Sequence, residues 1–424
     1  MTGTTQSERW EQVARLFRSR FGSEPELWVR APGRVDLMGS HTDYNLGYVL
    51  TLPISRDTWI AARANGGREV RLFTANLEDG DCFTLDRIDR TAKKRWSNYV
   101  RGVAAVLQAE GLRLDGFDGV IHSTVPLESG LGSSAALECA AAVLFRALGG
   151  WRLEAEAIAR LCQRAENEFV GVRCGILDQY SSCLGQEDCA LLLDCRDLST
   201  CPVPVAPGVQ VVICDTRARR QLAGEEYALR RSQCEEGAAR SGVAALRDIA
   251  IAELKANSAR LRADVLKRCL FIVAENQRVL DLASALRCGD RVVMGRLCAE
   301  SFAGAKDQFE ICSPPMIAMM KAMQEAPGAI GARQAGAGFG GCMVALVEQD
   351  RVEEFSAAVS ASYREATGAC PEVYPVAAAP GAGPLCLPEL ASEYPVSDDQ
   401  ASWSRDCSRS RARGAGLDRA GSRR

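Results

Sequence analysis

Histidine is nearly absent from this sequence, with two residues in 424, and its 18 Cys show no paired CxxC spacing. Neither a zinc site nor a disulfide framework is therefore indicated, and we expect reduced thiols and a cytoplasmic location. An excess of either charge is also lacking, because 51 Lys and Arg face 54 Asp and Glu. Nucleic acid and anionic membranes demand concentrated basic side chains, so neither is expected as the main partner. A small-molecule substrate fits this composition better.

Long apolar runs are missing as well, since none approaches the roughly 20 residues that cross a bilayer. The start, MTGTTQSERWEQVARLF, is polar and amphipathic, unlike a signal peptide. Hydrophobic residues nevertheless make up 47% of the chain, enough for a large core shared between two domains. We predict an N-terminal domain over residues 1–205, a C-terminal domain over 206–385, and a disordered Arg-rich tail over 386–424.

Hydrophobic periodicity predicts a mixture of helices and strands. Helical spacing occurs at residues 8–20 and again at Glu154–Phe169. Between them, Tyr48–Ile54, Thr58–Ala62 and Val70–Thr74 have the composition of short strands, which we expect to form antiparallel hairpins.

The segment GLGSSAA follows a predicted strand and runs directly into a helix of small residues. Glycines at the positive end of a helix leave backbone N–H groups open to a triphosphate. It is not a GxxxxGK[ST] loop, because no Lys follows, and a purely structural turn with a serine cap is the alternative. The predicted ATP-binding residues here are Gly130, Leu131, Gly132, Ser133, Ser134 and Ala135.

Two charged residues in small, mostly apolar surroundings are candidates for catalysis: Asp178 in GILDQY and Arg34 in APGRVDLMG. Phosphoryl transfer needs a carboxylate that accepts the proton of the attacking hydroxyl, and cations that neutralise the γ-phosphoryl group. Asp178, Arg34 and Mg²⁺ would supply these. Taken singly, Asp178 is more often a turn or cap residue, and Arg34 a surface charge.

The segment GSHTDYN gathers short polar groups, His41, Asp43 and Tyr44, that are suited to holding several hydroxyls. A turn that uses its Asp and Asn is the alternative. His122, inside the strand-like DGVIHSTV, is predicted to be a hydrogen-bonded core residue.

Four motifs occur in order over residues 25–345: APGRVDLMGSHTDYNLGYVL, PLESGLGSSAALE, CGILDQY and AGAGFGGC. Together they resemble the GHMP kinase superfamily, and within it most closely the galactokinase family. The resemblance implies an α+β fold of two domains, the first like domain 2 of ribosomal protein S5 and the second ferredoxin-like, with the active site in the cleft between them. It also implies a monomeric enzyme that uses MgATP to phosphorylate the C1 hydroxyl of galactose.

The resemblance assigns roles by position. Asp178 matches the catalytic Asp that takes the proton of the C1 hydroxyl, and Arg34 matches the Arg that orients it and stabilises developing charge. Ser134 and Glu166 match positions that hold Mg²⁺, for which hard oxygen ligands are suitable. The implied sugar-contacting residues are Arg34, Ser40, His41, Asp43, Gly175, Asp178 and Tyr227.

Two further nucleotide contacts are implied. Trp96 is expected near the base, with a place in the core as the alternative. Gly338, with Gly340 and Gly341, belongs to the third superfamily motif, which supports the glycine-rich turn from the second domain.

The chain departs from the family pattern at three positions: Ser40 stands where a Glu is usual, Asp36 where an Asn is usual, and Ala337 where a Gly is usual. That Glu is expected to bond the C6 end of galactose, and losing such a bond costs about 1.5–3 kcal/mol. An N-acetylgalactosamine or L-arabinose kinase is therefore an alternative, as is a galactokinase-like sugar sensor, although Ser133 to Ala135 favour an enzyme. Mevalonate and homoserine kinases share GLGSSAA, but HTDYN argues against them.

Overall fold

The computed structural model describes residues 5–127, 129–172, 174–218 and 223–385. The predicted tail, 386–424, lies outside these ranges. Within them, no helix is long and apolar enough to cross a membrane.

Helices and strands alternate irregularly along the chain. The helices are α1 (Gln6–Phe21), α2 (Ser97–Ala109), α3 (Ser133–Gly149), α4 (Ala155–Arg164), α5 (Leu177–Leu184), α6 (Ala223–Ser241), α7 (Ile251–Ala256), α8 (Ala263–Cys288), α9 (Arg291–Asp307), α10 (Pro314–Glu325) and α11 (Val352–Thr367). The strands are β1 (Leu27–Met38), β2 (Tyr48–Ala64), β3 (Glu69–Thr74), β4 (Asp79–Thr84), β5 (Phe117–Ser123), β6 (Cys189–Asp194), β7 (Thr200–Pro204), β8 (Val209–Asp215), β9 (Ala329–Gln334), β10 (Cys342–Glu348), β11 (Glu372–Val376) and β12 (Gly383–Pro384).

The first sheet has the order β12-β1-β2-β5-β3-β4, with β6 beside β2 and β7 beside β6. Helices α2, α3 and α4 contribute to the core on one face, which is filled by alanines of α3 and by valines and phenylalanines of the strands. Helix α1 packs on the sheet through a separate aromatic cluster in which Trp10 stacks on Trp28. A mixed sheet with helices on it agrees with the expected α+β class.

The predicted hairpins of this sheet are wrong. Tyr48–Ile54 and Thr58–Ala62 form one continuous strand, β2, because the residues between them stay extended: the Ser55 N–H donates to the Ala377 carbonyl oxygen at 2.9 Å. Strands β2 and β3 are also not neighbours, since β5 lies between them and pairs antiparallel with β2 and parallel with β3. Turn composition indicates where a strand ends, but not which strand becomes its neighbour.

The second sheet is fully antiparallel, in the order β11-β8-β10-β9. With helices between β8 and β9 and α11 between β10 and β11, this is the βαββαβ topology of a ferredoxin-like domain, as expected. Strand β8 begins where the predicted second domain begins, close to residue 206. Helix α10 starts at Pro314, directly after Ser313.

The two sheets share a hydrophobic core cluster. Val35 and Leu50 of the first sheet, Leu282 of α8, and Val211 and Val344 of the second sheet all belong to it. Helix α8 therefore packs between the sheets and fixes one against the other.

The last described residues return to the first sheet: β12 pairs with β1, and the Ala379 N–H donates to the Pro53 carbonyl oxygen at 2.9 Å. This part of the predicted 206–385 domain thus contacts the N-terminal half, and the boundaries themselves stay a prediction.

Candidate active site

The glycine-rich turn (residues 130–135) leads from β5 into the first turn of α3. Gly130 and Gly132 have φ angles of 85° and 73°, values that favour glycine. Gly132 occupies the N-cap position of α3 and offers no side chain to cap it, and no acidic residue lies in that first turn. The first N–H groups of α3 therefore remain available to an anion.

Arg34 and Asp178 form a salt bridge beside this turn. Arg34 lies near the end of β1, where it is 8% exposed, and Asp178 lies in the first turn of α5. The Arg34 Nε donates to Asp178 Oδ1 at 2.9 Å, its Nη2 donates to the same oxygen, and its Nη1 donates to the Gly130 carbonyl oxygen. The predicted catalytic pair is thus attached directly to the glycine-rich turn.

Close approach of the backbones explains this attachment. The Arg34 N–H donates to the Leu131 carbonyl oxygen at 2.9 Å. A Cβ on Gly132 would lie 3.4 Å from Arg34 Cγ and 3.6 Å from Asp178 Oδ2. Since both Arg34 bonds go to Oδ1, Oδ2 is the Asp178 oxygen that faces the turn.

The 39–47 loop, which joins β1 to β2, carries His41 and Asp43. Burial lowers the pKa of His41 to about 4, so the imidazole is neutral at pH 7. A carbonyl oxygen only accepts, so Nε2 carries the proton and donates to the Ala337 carbonyl oxygen at 3.0 Å, while Nδ1 accepts from the Tyr44 hydroxyl at 2.9 Å. His41 therefore links this loop to the 336–341 turn between β9 and β10.

Asp43 lies within electrostatic reach of the catalytic pair. Burial raises its pKa to about 6, and the Asp178 and Asp36 carboxylates add to the rise. A Cβ on Gly175 would lie 2.2 Å from Asp43 Oδ2, so a larger residue at that position would displace the Asp43 carboxylate. The structure thus brings together Asp43, Gly175 and Asp178, three of the predicted sugar-contacting residues.

Tyr227, on α6, completes an aromatic group around His41. Its ring centroid lies 5.3 Å from that of His41 and 5.6 Å from that of Tyr44. Burial raises the pKa of the Tyr227 phenol, with Asp43 contributing, so its hydroxyl stays protonated and can donate to a ligand.

A group of buried carboxylates lies next to the first turn of α3. The predicted helix Glu154–Phe169 ends as α4 at Arg164 and continues as a π-helical turn over Ala165–Val170, which carries Glu166. The Ser134 side chain lies beside Glu166 and acts to lower the pKa of that carboxyl. Burial raises the pKa of Glu166, and Asp178 adds to the rise.

This group fits a divalent cation bound together with phosphates. Gln179 Nε2 donates to Glu166 Oε2 at 2.7 Å and to Glu138 Oε2 at 3.1 Å, whereas Glu138 Oε1 has no hydrogen-bond partner among the described residues. Within the described ranges, no three His, Cys, Asp or Glu side chains are arranged to hold a metal ion by themselves. Mg²⁺ commonly binds through one or two carboxylates plus substrate phosphates, and the hard oxygens of Ser134 and Glu166 suit it.

Sequence reasoning missed Glu138, Gln179 and Cys174. Cys174 donates its thiol to Glu166 Oε2 at 3.1 Å, and Gln179 follows Asp178 directly. A signal was present only for Glu138, because it is the lone acidic residue in the small, apolar α3 segment that follows the glycine-rich turn.

For three predicted residues, the structure shows contacts other than those with the buried carboxylates Glu138 and Glu166. Ser40, in the 39–47 loop, is 3% exposed and hydrogen-bonds to Asp36 and Arg333. The Trp96 indole donates to Asp79 at 2.9 Å, and its ring packs at the edge of the first core. Gly338 packs against Ile311. Their roles toward sugar and ATP stay predictions.

Family models match three parts of the chain: the galactokinase galactose-binding signature at residues 15–64, the GHMP kinase N-terminal domain at 98–186 and the GHMP kinase C-terminal domain at 282–365. A galactokinase of Roseiflexus sp. (strain RS-1) is 43% identical over 378 residues, which cover 88% of this chain and 96% of that protein. The galactokinase of Pasteurella multocida (strain Pm70) is 40% identical over 377 residues, covering 88% and 98%.

The solved structures agree. Lactococcus lactis galactokinase, solved in complex with galactose, superposes with a TM-score of 0.85 at 32% identity and covers 89% of this chain and all of that one. Mevalonate kinase of Methanococcus jannaschii shares the fold at a TM-score of 0.60 and 16% identity, covering 85% of this chain and 99% of that one. The chain is thus an ATP-dependent sugar kinase that belongs to the GHMP kinase superfamily and, within it, to the galactokinase family.

Proposed function

We propose that this protein transfers the γ-phosphoryl group of ATP to the C1 hydroxyl of α-D-galactose, giving galactose 1-phosphate and ADP. One observation carries this proposal: the Arg34–Asp178 salt bridge joins the glycine-rich turn on one side and lies within electrostatic reach of Asp43 on the other. A sugar held by the 39–47 loop and a triphosphate held by α3 would therefore meet at this pair. Family membership supports the same reaction.

Asp178 is the proposed acceptor of the C1 hydroxyl proton, through Oδ2. Arg34 holds Oδ1 and thereby orients the second oxygen of the carboxylate. The same guanidinium stabilises negative charge that develops on the transferred group. No covalent enzyme intermediate is needed, since positioning and charge stabilisation provide most of the catalysis in phosphoryl transfer.

The N–H groups and glycines of residues 130–135 are the proposed phosphate-binding elements, with Trp96 near the base and Gly338 supporting from the second domain. Ser134 and Glu166 would hold Mg²⁺ together with the nucleotide. When bound, the ion would neutralise charge on the β- and γ-phosphates. Gln179 donates to both Glu166 and Glu138 and so fixes the orientation of the Glu166 carboxylate, which would bind the ion.

His41, Asp43, Gly175 and Tyr227 are the proposed sugar-binding residues. With a pKa of about 6, Asp43 is mostly ionised at pH 7 and acts as a hydrogen-bond acceptor for sugar hydroxyls. Gly175 allows the Asp178 segment to pack directly on Asp43. Tyr227 supplies a hydroxyl donor beside them.

The test is ATP-dependent phosphorylation by the purified protein across galactose, glucose, N-acetylgalactosamine, L-arabinose and 6-deoxygalactose. NMR of the product assigns the phosphate position. We expect phosphate on C1 of galactose; transfer to another hydroxyl, or no transfer to any of the five sugars, would refute the proposal. In the latter case, binding of galactose and ATP measured by calorimetry would favour a sugar sensor.

A second candidate, a sugar-1-kinase that prefers a sugar altered at C6, is favoured by Ser40. Its hydroxyl is engaged by Asp36 and Arg333, so it does not replace the longer Glu that the family usually carries there. The same panel separates the two candidates: a higher kcat/KM for L-arabinose or 6-deoxygalactose than for galactose would support the second.

A cytoplasmic location belongs to the same proposal, supported by free thiols such as those of Cys139, Cys162 and Cys183. Light scattering during size-exclusion chromatography tests the expected monomer.

A further inference from the structure

Arg333, on β9, is buried with a side-chain exposure of 1% and contacts both halves of the molecule. Its Nη2 donates to Glu275 Oε1 at 3.0 Å and to the Ser40 hydroxyl at 2.9 Å. Its Nη1 lies 3.8 Å from Asp36 Oδ2, and the Ser40 hydroxyl in turn donates to that oxygen at 2.7 Å. We call Asp36, Ser40, Glu275 and Arg333 the Arg333 cluster.

The cluster lies at the base of the 39–47 loop. Glu275 Oε1 accepts the N–H of Gly39, the first residue of the loop, at 3.2 Å. The next residue of α8, Asn276, accepts the N–H of Tyr48, the residue that follows the loop, at 2.7 Å. Two adjacent side chains of α8 therefore hold both ends of the loop that carries His41 and Asp43.

Together with Arg278, which lies outside it, the cluster is balanced in charge. The carboxylates of Asp36 and Glu275 face the guanidinium of Arg333 and that of Arg278, which donates to Glu275 Oε2 at 2.8 Å. Burial raises the pKa of Asp36, while Arg333 and Ser40 oppose the rise. An unpaired buried charge costs far more than a paired one, so the cluster tolerates one carboxylate beside Arg333 on the β1 side, but not two or none.

Position 36 or position 40 can supply this carboxylate, because the Ser40 hydroxyl bridges Asp36 and Arg333. In this chain the acid is at 36 and the neutral residue at 40. Two of the three departures from the family pattern, Asp36 and Ser40, thus act as one exchange in which the negative charge moves by four residues but stays next to Arg333.

We propose that Asp36 is a positioning residue of the sugar site: paired with Ser40 and Arg333, it supplies the charge that holds the base of the 39–47 loop, and with it His41 and Asp43. Asp36 acts through this loop and not by touching the reacting atoms. The proposal rests on the proposed function only in taking galactose as the ligand.

The test is a double-mutant cycle on Asp36→Asn and Ser40→Glu. Each single change unbalances the cluster, so we expect each to raise the KM for galactose about tenfold, with kcat and the KM for ATP within about threefold of wild type. The double variant restores one carboxylate beside Arg333, so its galactose KM should return to the wild-type value, or fall below it if Glu at position 40 also bonds the C6 end of the sugar. The proposal is overturned if the effects of the two changes on the galactose KM are purely additive, or if Asp36→Asn keeps the wild-type KM for galactose.

A matched variant separates charge from size. Asp36→Asn/Ser40→Gln has the same shape as the rescued pair but lacks the carboxylate, and should stay as impaired as Asp36→Asn alone. Equal rescue by Gln would show that charge is irrelevant.

The unfolding temperatures of the four proteins provide a second measure of the same cycle. This measurement needs no substrate and remains possible if Ser40→Glu is poorly stable. There the double variant should again lie above both single variants, and a double variant below them would refute the coupling. Absence of galactose phosphorylation by the wild-type protein would count against the proposed function alone.

Discussion

Replacing Asp178 by Asn removes the proposed proton acceptor while changing the site least. The amide oxygen can still accept from Arg34 Nε, which donates to Oδ1 at 2.9 Å in the native protein. Arg34 also keeps its bonds with the backbone of the glycine-rich turn, so we expect that turn to remain in place. What the variant loses is the negative charge on the oxygen that faces Gly132 and its ability to take a proton.

The expected cost follows from these losses. General-base catalysis contributes about 10²–10⁴-fold to a rate, or about 3–5 kcal/mol of transition-state stabilisation. We therefore expect kcat to fall by that factor, with the KM for ATP within about threefold of wild type. Steady-state ADP release, measured with a coupled assay at saturating ATP and varied galactose, separates kcat from KM.

Asp350→Asn is the matched control, because Asp350 is exposed in the short turn before α11 and the chemical change is the same. It should leave kcat and the unfolding temperature unchanged. An Asp178→Asn protein that unfolds at the wild-type temperature and keeps more than about a tenth of the wild-type kcat would remove Asp178 from the role of proton acceptor.

Three other changes test the sugar site, the proposed metal site and the core. Gly175→Ala places a Cβ 2.2 Å from Asp43 Oδ2, so kcat/KM for galactose should fall about 100-fold, whereas Gly67→Ala, with its nearest neighbour at 3.5 Å, should have no effect. Glu166→Gln should raise the Mg²⁺ concentration for half-maximal velocity about tenfold or more, and an unchanged Mg²⁺ titration would argue against Glu166 as a ligand. Burial and Arg9 lower the pKa of His122 to about 4, below its unfolded value near 6.5, so His122 stabilises the fold above pH 6.5 and this stability is lost as pH falls toward 4. His122→Asn should therefore lose less unfolding free energy than wild type in urea titrations between pH 7 and 4.5, and an equal loss would contradict the shift.

Local chemistry made several elements predictable. The helical spacing at residues 8–20 lies in α1, and the strand-like run Val70–Thr74 lies in β3, because both signals reside in the residues themselves. The position of β5 between β2 and β3 was not predictable, since strand order depends on contacts between distant segments. The long β2 escaped prediction for the same reason: Ala377, far along the chain, keeps its middle extended.

Within the site, the motifs identified side chains that the structure brings together, above all Arg34 and Asp178. They did not indicate the buried polar partners. Arg333 donates to the Asp36 carbonyl oxygen across 297 residues of sequence and to Glu275 across 58. An arginine this far buried becomes recognisable only when its acids are seen around it, because composition alone predicts exposure for Arg.

The two halves of the site depend on different contacts. Arg34, the glycine-rich turn, Asp178 and Glu166 are connected to one another by elements of the first sheet and its helices alone. The 39–47 loop instead depends on the second half of the chain: Ala337 accepts from His41, and α8 holds both ends of the loop. Changes where the two halves meet should therefore act on the KM for sugar and spare the KM for ATP. The Asp36 carboxylate lies at this junction beside Arg333, so we expect its loss to raise the KM for sugar while the Arg34–Asp178 salt bridge stays in place.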